Sequence, residues 1–186
     1  GVLSGNEQIV AMLLTIFSIG IGIGSLLCDK LLGGKVRDYY VPVGALGITI
    51  FSADLFFASE PLLATRTGEF IGIMAFLSLP ENWRIVGDLF GIAICGGLYI
   101  VPLYAILQAR SEPHYRARLI AVNNVLNALA MVGASGFIFW LSDEGLSIPA
   151  IFLAIGLLNI PVTLYVSFVV ITTAVKRVAK KLGSMS

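Results

Sequence analysis

Three side-chain amides crowd one uncharged stretch of this chain, Asn123, Asn124 and Asn127 within Leu119 to Leu141. Asn123 and Asn127 are about one helical turn apart, and Ala130 and Ala134 extend the same face. An amide in apolar surroundings needs partners for its donors and its acceptor, so these residues should face other helices or a wet cavity. Two uses stay open: a hydrogen bond between helices, or contact with a small amphipathic molecule. Asn159 and Tyr99, in two other apolar runs, join them as candidate contacts. Asp54 and Asp88 are candidates of another kind. An ionised aspartate at the centre of a membrane helix costs about 2.5 to 3.5 kcal/mol, which would mark a proton or ion site. Asp54 lies close to Ser59 and Asp88 opens its run, so both are expected near an interface, where the cost is small. Asp29, Lys30 and Lys35 form an acid and base cluster after the first run, at a helix end that favours cations.

Other chemistries lack their residues. His114 is the sole histidine and has no histidine or cysteine partner nearby in sequence, so no metal site is expected. Cys28 and Cys95 fall in different apolar runs without ligand spacing and are read as small apolar fillers. There is no nucleophile elbow, phosphate-binding glycine loop or paired histidine and acid, so the segment is expected to be no enzyme and to use no cofactor. The basic residues carry no aromatic interleaving, which argues against nucleic acid.

The elements that must position these residues are five long apolar runs. Ile9 to Cys28, Leu89 to Leu107, Leu119 to Leu141 and Leu146 to Val175 hold no charged residue, and Tyr39 to Ala58 holds only Asp54. About 20 such residues cross the roughly 30 Å hydrocarbon core. A composition 58% hydrophobic and 12% charged excludes an ordinary water-soluble domain. The expected fold is an all-α membrane protein with five transmembrane helices near residues 8–28, 40–58, 87–107, 119–141 and 147–172. Residues 59–84, too interrupted by charge and proline to cross, are expected to lie on the outer surface as an amphipathic segment, and 176–186 to form a basic tail or linker. Gly20 with Gly24, and Gly87 with Gly91, have the small-residue spacing that lets helices approach closely.

Ten of the 12 basic residues fall in the first loop, the third loop and the tail; only Arg66 and Arg84 fall elsewhere. This bias places those loops and the C-terminus in the cytoplasm and the N-terminus outside. An odd number of spans and a start at Gly1 suggest part of a larger protein.

The stretch Ser25-Leu26-Leu27-Cys28-Asp29-Lys30-Leu31-Leu32-Gly33-Gly34-Lys35 resembles the loop motif of the major facilitator superfamily, with serine where glycine is usual and one extra residue before the glycine. Gly96 to Gln108, with Ala117 to Asn124, is similar to the lysophospholipid transporter branch, which includes bacterial forms fused to a phospholipid acyltransferase. The resemblance covers nearly the whole chain and implies helices 8 to 12 of a twelve-helix transporter. It further implies a bacterial inner-membrane protein that flips lysophospholipid, chiefly lysophosphatidylethanolamine, to the inner leaflet for reacylation. Its partners would be the lysophospholipid or phospholipid, the N-terminal half of the same transporter, and a fused or associated acyltransferase. Asp29, Lys30 and Lys35 would then latch one conformation. The remaining alternatives are the membrane portion of a bifunctional acyltransferase and transporter, an exporter of another amphipathic small molecule, and a non-transporting scaffold.

Overall fold

In lipid every backbone donor and acceptor must be satisfied within the chain, and long apolar runs meet that demand as helices. A computed structural model describes residues 7–32, 40–65 and 72–183, whose regular structure is all helical. In chain order they are α1 (Glu7–Leu32), α2 (Tyr40–Thr65), α3 (Ile73–Leu77), α4 (Pro80–Arg110), α5 (Arg116–Asp143) and α6 (Ile148–Gly183). All but α3 are long and apolar enough to cross a membrane, with spans Glu7–Cys28, Tyr40–Ser59, Pro80–Ala109, Arg116–Asp143 and Ile148–Thr173. The multi-pass helical membrane architecture read from the apolar runs is the one observed.

Boundaries differ most at residues 59–84. Helix α2 continues to Thr65, and α4 begins at Pro80 rather than near residue 87. Proline suits the first turn because its missing N–H would have had no partner there. The start of α4 is also tied to α3: Asn82 Nδ2 donates to the Phe76 carbonyl at 2.7 Å, and Trp83 Nε1 to that of Leu77 at 2.9 Å. Between the two helices, residues 66–71 lie outside the described residues, and α3 is the one short helix described.

Helix α4 is the axis of the bundle, packed on α1 along one side and on α2 along another, with α6 behind α2. Glycine makes this possible. A Cβ added at Gly24 would run into the backbone of Ile94, and one at Gly97 would lie 2.8 Å from the Ile21 carbonyl oxygen. At Gly91 an added Cβ would lie 2.7 Å from the Phe51 ring, whereas at Gly87 it would meet nothing. Apolar side chains fill the rest of the α3 end. Leu55, Ala58, Ile85 and Ile92 form one cluster, with Phe17, Phe51 and Phe152 against it. Ile9, Phe76 and Val86 form a second.

Helix α6 is fastened to α2 by polar groups. Asn159 Nδ2 donates to the Ala45 carbonyl at 2.7 Å and to Thr49 Oγ1 at 3.1 Å, and the Thr49 hydroxyl faces the Gly156 carbonyl at 3.4 Å. Helix α5 is the outlier. It turns into α6 through Gly145, whose φ of 84° suits glycine, and Leu141 is its only buried residue among those described. The rest of its surface is apolar and uncovered, with Leu129 63% and Val132 73% exposed.

Candidate ligand cleft and carboxylate cluster

One turn of α5 and two turns of α4 meet at a phenol. Asn123 Nδ2 and Asn127 Nδ2 each donate to the Tyr104 hydroxyl oxygen at 3.0 Å. Their spacing of four on α5 puts both amides on the side that faces α4. The phenol accepts twice, and among the described residues nothing takes its own proton or either amide oxygen. Around this contact lies a cleft of about 310 Å³ walled by Tyr99, Ile100, Leu103, Leu107 and the three bonded residues. A second cleft of about 240 Å³ lies between α2, α4 and α6, lined by Val41, Ile106, Val166 and Val169 among others. Leu103 lines both. An uncharged hydrogen-bonding recess thus adjoins a recess whose walls are almost wholly apolar.

The other sequence candidates are distributed as follows. Tyr99 lines the first cleft; Asn124 is exposed and outside it. Asn159 is committed to the α2 contact described above. Lys30 is exposed in the last turn of α1, the Asp29 side chain is not among those described, and Lys35 lies outside the described residues. Tyr104, not among the sequence candidates, is the residue on which the amides converge.

At the α3 end the two aspartates meet an arginine. Arg84 Nε donates to Asp54 Oδ2 at 3.1 Å, and its Nη2 closes the fork on Oδ1, in a two-point ion pair between α4 and α2. The pair is open to its surroundings, with Arg84 55% and Asp54 40% exposed. Asp88, one turn further along α4, is only 4% exposed. Its carboxyl lies beside that of Asp54, and its Oδ2 is buried with no hydrogen-bond partner among the described residues. Arg84 was missed as a site residue because it looks like a loop cation. Its spacing of four from Asp88 was the available signal.

No group of three metal-binding side chains occurs among the described residues, and Cys95 is a free thiol. Comparison with protein-family models, with curated proteins and with solved structures finds no match to this chain.

Proposed function

We propose that this chain is part of a membrane transporter that carries a lysophospholipid across a bacterial inner membrane, with its N-terminus outside and its C-terminus in the cytoplasm. The observation that carries the reading is the amide and phenol cleft beside an apolar one, with Leu103 in the wall of each. A lysophospholipid has a polar head and a single acyl chain, and these two recesses suit those two parts. Ion pairing is not needed to hold a zwitterionic head, and among the described lining residues of both clefts none is charged. The uncovered apolar face of α5 suits a helix that meets either lipid or further helices of the same protein. The charge bias supports the orientation, and the loop and helix resemblance supports the choice of lysophospholipid over other amphipaths.

Replacing Asn123 and Asn127 by leucine tests this reading, because it removes the donors and acceptors yet keeps α5 apolar. Uptake of labelled lysophosphatidylethanolamine into spheroplasts should be lost, with membrane levels retained and the thermal midpoint lowered by only a few degrees. Uptake equal to that of the unaltered protein would reduce the asparagines to a contact between α4 and α5.

A further inference from the structure

The aspartates and Arg84 are separate from the cleft. Tyr104 stands 16 residues beyond Asp88 on the same helix, about 24 Å at 1.5 Å per residue. Two carboxyl groups share one guanidinium here, and Arg84 spends its fork on Asp54. Asp88 is therefore left beside a like charge, buried, with one oxygen lacking a partner among the described residues. Neighbouring carboxylates in such a setting do not both ionise readily, and a carboxylate without a partner in apolar surroundings is strongly disfavoured. A single proton removes both difficulties: it neutralises Asp88 and supplies a donor toward Asp54.

The surroundings narrow the chemistry. Helix α2 presents Asp54 and α4 presents Arg84, with Glu81 exposed a further turn away. Helix α3 has no ionisable side chain. Between Gln8 and Leu27, α1 has none; in α6, the stretch from Ile148 to Leu164 has none. The ion pair beside the buried carboxyl is itself half-exposed.

We propose that Asp88 is a proton-binding site, its proton shared with Asp54 across the join of α2 and α4 and exchanged with the surface through the Arg84 pair. Loss of that proton would set a bare carboxylate against Asp54 and draw Arg84 away from it, loosening the link between the two helices at this end. The proposal does not depend on what the cleft carries.

Infrared pH-difference spectra of the protein in liposomes test it. A protonated-carboxyl band at neutral pH is expected, and Asp88→Asn should lack it. Asp54→Asn should lose it as well, because Arg84 then turns to Asp88, whereas Arg84→Gln should strengthen it. These opposite responses keep the test valid where Asp88→Asn does not fold. Absence of the band from the unaltered protein overturns the proposal, and so does a band that Asp54→Asn leaves intact. A band that sodium abolishes at constant pH, while choline spares it, overturns it in favour of a metal-cation site.

Discussion

At the scale of single residues, the chemistry of this bundle depends on groups that bond in pairs. Tyr104→Phe removes the acceptor of two amide bonds, each worth about 0.6 to 2 kcal/mol between membrane helices. It leaves the cleft walls in place. The expected result is a raised KM for lysophosphatidylethanolamine uptake with a thermal midpoint lowered by only a few degrees, measured on purified protein. A KM unchanged by the substitution would separate the phenol from the transport route. The amides were legible in the sequence because a spacing of four in an uncharged run has one physical reading, a shared helix face. Their partner was not, since nothing within α4 reveals which side of Tyr104 another helix approaches. Asp54 and Arg84 make the same point. They are 30 residues apart, and only the packing of α2 on α4 brings them together.

Among the elements, α4 has the most to lose from added volume. Gly24→Leu or Gly97→Leu forces a side chain into backbone at the α1 contact, and overpacking of this kind costs about 1 to 3 kcal/mol or more. Both variants should unfold at lower temperature than the unaltered protein. Gly22→Ala, where an added Cβ meets nothing within 4 Å, should unfold at an unchanged or higher temperature, since alanine is the better helix former; a fall as large as that of Gly97→Leu would mean that close approach to a neighbouring helix does not decide these sites. The Gly20 and Gly24 spacing announced this contact before any partner was known. The Gly87 and Gly91 spacing announced one that only Gly91 makes, because small residues permit an approach without specifying which neighbour uses it. Helix ends were hardest to read. Pro80 and the charges after it resemble a loop along the chain, yet proline at a first turn and the ties from Asn82 and Trp83 to α3 make the same residues a helix start.

For the whole molecule, the number of spans was legible because apolar length is a one-dimensional property that a bilayer reads directly. The neighbour relations were not, since they depend on which faces coincide. The cation bias yields a prediction at this scale. With Cys28 and Cys95 replaced, a cysteine at Arg116 should be shielded from an impermeant thiol reagent in intact cells and one at Ser142 should react; the reverse pattern would invert the proposed orientation. Helix α6 carries a consequence for how the protein is made. Its Asn159 must reach Ala45, 114 residues earlier in the chain, and at about 5 to 20 residues per second of synthesis α2 waits roughly 6 to 23 s for that partner. Thr49 is suited to the wait, since its hydroxyl also reaches the Ala45 carbonyl of its own helix. It can hold that acceptor until the asparagine arrives, so α6, made later, completes a bond that α2 has kept in reserve.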